Sequence, residues 1–398
     1  MTSFAARHIF VEDAWLSPGE VSWDQRGRIT SLRRARRGSR VHDVAVLPGL
    51  VNAHAHLQLP PVCEPSTGSF VGWIGEVMKA RATMSPRAIR QRTEASLLEL
   101  LQSGCTAVGE VDSTGSSPAV MHRLNVAGRC YQELTGFHLD EGGARSLVRM
   151  RSQTGAPACP PGLSPHAPYS ASADLFRVAA LHRRALSVHA AELPEEQQLL
   201  HTGRGPLRDL LVRLGRLPVE WRAPGVGAVR YLEQLGVLSP RTLLVHCQVL
   251  ERGDAARIAA SGSPIVVCPG TIRWFGRSPP PVQDWLGRGI PVALGTDSWA
   301  SNRSMSMHEE LRAGARLWPD LAPSTLFAMA TVHGARALSR SGLGRLGRGG
   351  RADFVCVAAG TDAPESIFAA FLHGDLAPTA TFVGGRAMKR VVTSAARH

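Results

Sequence analysis

Lysine is almost missing from this 398-residue chain, with Lys79 and Lys389 the only two. The formal charge of +13 is therefore carried by arginine. The arginines are dispersed apart from a cluster at Arg33, Arg34, Arg36, Arg37 and Arg40, and no aromatic residues interleave with that cluster. Nucleic-acid binding calls for a basic stripe together with a groove-reading or base-stacking element. No helix-turn-helix or RNA-binding signature is present, so the arginine excess reads as a compositional bias and no nucleic-acid partner is expected. Long hydrophobic runs are missing as well. No window approaches the roughly 18–20 continuous apolar residues of a membrane helix, so no membrane association is expected. The opening Met-Thr-Ser-Phe-Ala-Ala-Arg-His lacks a basic segment followed by an apolar one; no signal peptide is read, and a cytoplasmic location is expected. The seven cysteines are scattered and none forms a Cys-x-x-Cys pair, which points to reduced, buried thiols and away from a disulfide framework or zinc ribbon.

What is abundant is punctuation. Forty glycines and 27 prolines break the chain into many short elements. Its length suffices for one large domain and an accessory one. Near the N-terminus, 8–11, 20–23 and 28–32 read as short strands separated by turns, and 352–357 and 379–383 echo them near the C-terminus. A small β-sandwich domain formed by both termini (1–47 and 346–398) is expected to flank a central domain, 48–345. In that centre, apolar strand-like runs recur at 46–56, 105–112, 127–136, 162–168, 185–191, 242–248, 264–269 and 290–297, most followed by a helical segment. The helix at 86–103 is the clearest: Ser85 can cap it, Pro86 suits its first turn, Ile89, Thr93, Leu97 and Leu101 share a face, and Gly104 ends it. Eight such units predict an α/β fold, a (β/α)8 TIM-like barrel. The long segment 193–241 is expected to hold helices and a loop over the site.

Functional side chains of such barrels sit at the C-terminal ends of the strands. The first run ends in His54 and His56, which as i and i+2 share one face. The third contains Glu133, and the fourth gives His166. The fifth gives His189 and Glu192, the sixth His246, and the eighth Asp297. A lone histidine on an apolar face is more often a satisfied core residue than a ligand. Ionisable groups at one end of six apolar runs are another matter, because buried charge is costly unless paired or metal-bound. Glu192 could instead start a helix, where a carboxylate suits the dipole. Glu133 reads as either a partner of a ligand or half of a buried salt bridge. Trp73 and Glu76 fit a pocket wall or one face of an amphipathic helix. Met305, Met307 and Leu311 read as helix packing. His308-Glu309 opens like a zinc-protease helix, but Arg312 stands where the second histidine must be.

The motifs Pro48-Gly-Leu-Val-Asn-Ala-His-Ala-His56, His166-Ala-Pro-Tyr169, His189-Ala-Ala-Glu192, Gly295-Thr-Asp-Ser298 and Ala330-Thr-Val-His-Gly-Ala-Arg336 resemble the amidohydrolase superfamily. They are most similar to its branch of amino-purine and nucleoside deaminases and triazine chlorohydrolases. Ser69-Phe-Val-Gly-Trp73-Ile, Trp274-Phe-Gly276 and 296–302 further resemble the aminodeoxyfutalosine-deaminase-like group. The resemblance implies one divalent metal ion, Zn2+ ahead of Fe2+, held by His54, His56, His189 and Asp297 with a position open for water. It implies Glu192 as general acid/base, His246 orienting the nucleophile, Asp297 acting on the water as well as on the metal, and His166 against the substrate. Trp73, Glu76 and Trp274 would border a small-molecule substrate, and Trp299 with the other two tryptophans would offer stacking surface. Relatives with two metals bridge them through a carboxylated lysine on the fourth strand; neither Lys79 nor Lys389 is placed for that, which favours one ion. A homodimer is common among such relatives.

The function so implied is hydrolytic deamination of an aminated purine-like heterocycle or nucleoside, in which metal-bound hydroxide attacks and ammonia leaves. The alternatives are cleavage of another C–N or a C–Cl bond, and a non-catalytic barrel. One departure stands out: Gly270-Thr271-Ile272 replaces the Arg-Ser-His of the futalosine group, which reads as a substrate-facing patch made small and apolar.

Overall fold

The computed structural model describes residues 1–63, 69–152, 158–360, 363–374 and 376–388. Eight strands form the central sheet in sequence order: Leu50–Ala55, Cys105–Asp112, Ala127–Leu134, Pro161–Pro165, Leu186–Ala190, Thr242–His246, Ile265–Val267 and Val292–Leu294. Every neighbouring pair is parallel. A bridge between Ala55 and Asp297 joins the first strand to the segment following the eighth, so the sheet closes on itself. These strands match the eight apolar runs, which are continuous because helices cover the outside and side chains fill the inside. Lys389 lies outside the described residues.

The helix expected at 86–103 spans Pro86–Gln102; Ser85 accepts the Ala88 amide, and Ile89, Thr93, Leu97 and Leu101 are buried. Gly104 follows at φ +88, where a β-carbon would press on Val355 of the terminal sheet. Met305, Met307 and Leu311 are fully buried in the main core, as packing predicts. The long 193–241 segment holds three helices, Pro194–Thr202, Pro206–Arg213 and Ala228–Gln234.

Both termini build a second, mixed sheet of eight strands, the β-sandwich of the expectation. It includes Thr2–Val11, Gly19–Trp23 and Ile29–Arg34 from one end, and Phe354–Ala358 and Pro378–Val383 from the other. The sheet curls until the turn at Gly27 touches that at Gly384, and it encloses its own aromatic cluster. Phe354 stacks on Phe382 at 4.3 Å, with Trp23 edge-on to Phe354 at 5.8 Å.

One expectation needs correcting. The run 46–56 is not a single strand: His42–Pro48 lies in the terminal sheet between Thr2–Val11 and Phe354–Ala358, and only Leu50–Ala55 enters the barrel. The hand-over is Gly49, whose amide bonds to Asp353 O at 3.1 Å. A β-carbon there would collide with the buried side chain of Thr106. Apolar content alone does not mark this change, because both halves are buried. Gly49→Ala is expected to cost about 1–3 kcal/mol, the usual penalty of overpacking. The double variant Gly49→Ala/Thr106→Ala should recover part of that loss, read as coupling between the midpoints of urea unfolding curves.

Candidate active site

The C-terminal end of the barrel gathers the ionisable residues predicted from sequence. His54 and His56 close the first strand, with ring centroids 4.9 Å apart. His189 comes from the fifth strand; its Nδ1 donates to the carbonyl of His166 at 2.9 Å, which leaves Nε2 unprotonated. That Nε2 faces His56 Nε2 at 3.3 Å. Asp297 Oδ1 stands 3.5 Å from His54 Nε2 and 3.9 Å from His56 Nε2. The donor atoms of His54, His56 and Asp297 lie within 4.8 Å of one another, and so do those of His54, His189 and His246.

This donor set fits a divalent cation. His54 is fully buried, yet neither of its ring nitrogens has a hydrogen-bond partner. Such an orphaned pair is costly unless something else fills the space between the donors. Burial holds His56, His166 and His246 well below the ordinary imidazole range, and it holds His189 down to about 4. Neutral imidazoles with lone pairs turned toward a carboxylate are the state in which histidine ligates metal. The second oxygen of Asp297 is occupied from behind, accepting from Ser301 Oγ at 2.6 Å and Thr271 Oγ1 at 3.3 Å.

Glu192 is buried beside this cluster. Its Oε1 lies 3.8 Å from His246 Nε2 and 3.9 Å from Arg277 Nη1, and its Oε2 accepts from Tyr169 Oη at 2.9 Å. Burial raises its carboxyl to about 7, with Arg277 opposing. The helix-start alternative falls to its neighbours: Glu195 and Glu196 occupy the first turn of Pro194–Thr202, whereas Glu192 precedes the helix and lines the cavity. Backbone strain concentrates here. Ala191, His246, Cys247 and Asp297 all have left-handed φ, from +49 to +73. Non-glycine residues are rarely held so, and such strain clusters at functional sites.

Above the cluster lies a cavity of about 270 Å³, with His56, His166, His189, Glu192, His246 and Asp297 at its floor. Phe70, Trp73 and Ile74 form one wall, and Leu207, Leu210, Leu211 and Leu214 from the 193–241 segment form another. Trp73 is anchored by its Nε1, which donates to Ala300 O at 2.6 Å. Glu133 also faces the cavity, 3.9 Å from His56 Nδ1 and 4.0 Å from His166 Nε2, and burial raises it to about 7. It therefore borders the cavity beside two of the histidines.

Three expectations do not hold in this arrangement. Glu76 points to solvent and pairs with Lys79 at 2.9 Å. Trp274 and Trp299 do not line the cavity. In place of Trp274, its neighbour Phe275 packs against Trp73 and Phe70, at 5.2 and 5.9 Å; in a helical turn, adjacent residues point about 100° apart. Nor is the 270–272 segment substrate-facing. A β-carbon on Gly270 would collide with Asn302, and Thr271 supports Asp297 from behind. Sequence reasoning assigned no role to Tyr169 or to Glu110. The latter is fully buried under the first strand, accepting Leu57 N at 3.0 Å and Ser117 Oγ at 2.8 Å. A charged residue inside the second apolar run was the available signal.

The sequence profile of the amidohydrolase family matches residues 45–388. The chain belongs to the amidohydrolase family. Among characterised relatives it is 31% identical over 321 residues to aminodeoxyfutalosine deaminase of Deinococcus radiodurans, covering 74% of this chain and 73% of that one. It is 28% identical over 353 residues to the 5-methylthioadenosine/S-adenosylhomocysteine deaminase of Syntrophobacter fumaroxidans, covering 83% and 76%. The fold is that of Helicobacter pylori aminofutalosine deaminase in complex with methylthio-coformycin, with a TM-score of 0.83 at 20% identity over 98% of this chain and all of the other. It is also shared with a zinc-bound adenosine deaminase from Xanthomonas campestris, with a TM-score of 0.78 at 21% identity over 97% and 92%. No helix among the described residues of this amidohydrolase is long and apolar enough to cross a membrane.

Purified protein is expected to carry about one divalent ion per chain, as a compact cluster of buried imidazoles and a carboxylate should. Elemental analysis of His54→Ala and Asp297→Ala should show most of that metal gone, while circular dichroism shows the fold kept. Full metal content in both variants would contradict the assignment.

Proposed function

We propose that this amidohydrolase is a hydrolytic deaminase acting on an aminated purine-like heterocycle or nucleoside. The observation that carries the reading is Glu192: a buried carboxyl raised to about 7, beside a cluster of metal donors at the floor of an apolar cavity. Deamination of a ring needs an acid that is half-protonated near neutrality, because the departing amine must leave as ammonia. The relatives named above are deaminases, which supports the same reading.

His54, His56, His189 and Asp297 are the proposed ligands, and Zn2+ is favoured over Fe2+ by three imidazoles and one carboxylate. When bound, such an ion lowers the pKa of water from about 15.7 to about 7 and so makes a nucleophile available at neutral pH. Asp297 hydrogen-bonds the attacking water and takes up the proton that it releases. Glu192 protonates a ring nitrogen, takes up the proton of the new hydroxyl as the ring carbonyl forms, passes it to the leaving amine, and regains its own proton from Asp297. Neutral His246, 3.8 Å from Glu192, orients the nucleophile, and His166 contacts the substrate. Phe70 and Trp73 offer a planar ring an aromatic wall. Loss of chloride from a similar ring is the second reading, since atrazine chlorohydrolase of Arthrobacter aurescens shares the fold with a TM-score of 0.77 at 20% identity. Chloride leaves without a proton, however, and gives Glu192 less to do. Six of the seven free cysteines are buried, which fits the proposed cytoplasmic location. A homodimer, and domain limits near 47/48 and 345/346, complete the proposal.

The test is an ammonia-release screen over aminated purines, nucleosides, pterins and triazines. Glu192→Gln should lower kcat by about 10²–10⁴-fold, the range of general acid–base catalysis. Turnover of chloro-substituted or amide substrates, with no ammonia from any heterocycle, would favour the second reading instead.

A pH profile provides a separate check. The acid must be protonated, so kcat/KM falls as pH rises through about 7. The Tyr169 hydrogen bond favours the ionised carboxylate. Tyr169→Phe removes it, raises the pKa of Glu192 and should move the alkaline limb to higher pH. A limb that stays in place would argue that Glu192 is not the titrating acid.

A further inference from the structure

Glu196 is fully buried four residues beyond Glu192, on the side of the chain away from the cavity. Its Oε2 accepts the backbone amide of Glu192 at 2.8 Å, and its Oε1 is buried without a hydrogen-bond partner. The helix that carries it starts poorly on its own. Leu193 stands at the N-cap with no side chain able to cap, and Pro194 at the first position has no amide to offer. A glutamate at the third helical position ordinarily reaches back to the amide of the N-cap residue, from the protein surface. Here it reaches one residue further, to Glu192, and does so from the interior, where an ionisable group is costly unless its contact is worth that cost.

The rest of the turn is fixed just as firmly. Ala191 sits at φ +49, and its carbonyl accepts the amide of Val249 at 2.8 Å. Gln197 Nε2 donates to Val249 O at 2.9 Å, while its Oε1 accepts Ala228 N at 2.9 Å. The peptide of Glu192 is thus tied on one side to the loop that follows His246 and on the other to Glu196.

We infer that Glu196 is a positioning residue: its carboxyl oxygen holds the Glu192 peptide and thereby aims the Glu192 side chain at the substrate. The inference rests on the acid role proposed for Glu192. A structural cap alone would affect every reaction of the site equally. A device that aims the acid affects most the reaction that needs a proton delivered to its leaving group.

The experiment compares Glu196→Ala, Glu196→Gln and Glu192→Gln on 5′-methylthioadenosine and on the same nucleoside with chlorine in place of the amino group. Chloride departs as the anion and takes no proton. Glu196→Ala should lower kcat for ammonia release by about 10²-fold, the scale of a misplaced catalytic group. It should slow chloride release as well, since the ring nitrogen must still be protonated there, but by a smaller factor, and leave KM and metal content near wild type. Glu196→Gln keeps an acceptor for the Glu192 amide and should restore most of the deamination. By hydrogen exchange, the amides of 191–193 should open faster in Glu196→Ala than in wild type, and not in Glu196→Gln. Wild-type kinetics in Glu196→Ala, failure of Glu196→Gln to restore deamination, or loss of metal would overturn the positioning role while leaving the deaminase reading intact. No ammonia from wild type, or unimpaired Glu192→Gln, would instead remove the acid role on which it rests.

Discussion

The site depends on the seam where the barrel closes. Asn52, fully buried in the first strand, uses its side chain as the staple. Its Oδ1 accepts the amides of His54 and Thr296, each at 3.2 Å, and its Nδ2 donates to Thr296 Oγ1 at 2.8 Å. The backbone completes the seam, with Thr296 N donating to His54 O at 3.1 Å and His56 N to Asp297 O at 3.0 Å. An open parallel sheet would leave two unpaired edges. Closing it removes them and also sets Asp297 beside two histidines that lie more than 240 residues earlier in the chain. Loop closure over that distance costs entropy once, and the whole barrel shares the gain.

Within the closed barrel, burial governs the chemistry. Desolvation is the main cause that drives four histidines toward their neutral forms and pushes Glu133 and Glu192 up to about 7, and neighbouring charges modify the shifts. Asp297 is the contrast. Burial opposes its ionisation, but the His54 contact and the surrounding imidazoles hold it well below the ordinary carboxylate range. The floor of the cavity therefore presents one anion among neutral donors, with a proton-carrying acid alongside. The same groups are held by backbone in left-handed conformations at His246 and Asp297, so some folding energy is stored where the reacting groups must be aimed.

Much of this was legible in the residues themselves. Eight apolar runs, six of them ending in or near an ionisable group, pointed to both the barrel and the end that carries function, because strand direction and the location of barrel sites are tied together. The donor atoms of His54, His56 and Asp297 lie within 4.8 Å of one another, and so do those of His54, His189 and His246. Periodicity could not show where one sheet yields to another, since burial on either side of Gly49 looks alike in sequence. Nor could it tell Trp274 from Phe275 in a short helical turn, where the facing side chain is set by what packs against it. The hydrogen bonds of Tyr169 and Glu196 to Glu192 were equally out of reach, because a partner's identity depends on side-chain reach in three dimensions.

The terminal sheet carries a further consequence, concerning the order in which the molecule can be completed. His42–Pro48 leads directly into the first barrel strand and lies between Thr2–Val11 and Phe354–Ala358. During synthesis one of those neighbours is available from the start, and the other does not exist until every barrel strand has left the ribosome. The segment that introduces the first two histidines thus remains paired on one side only while the rest of the barrel is being made. The anchorage of the site is finished by strands translated after the barrel, and a chain cut before Phe354–Ala358 would retain every proposed metal ligand while lacking that half of their support.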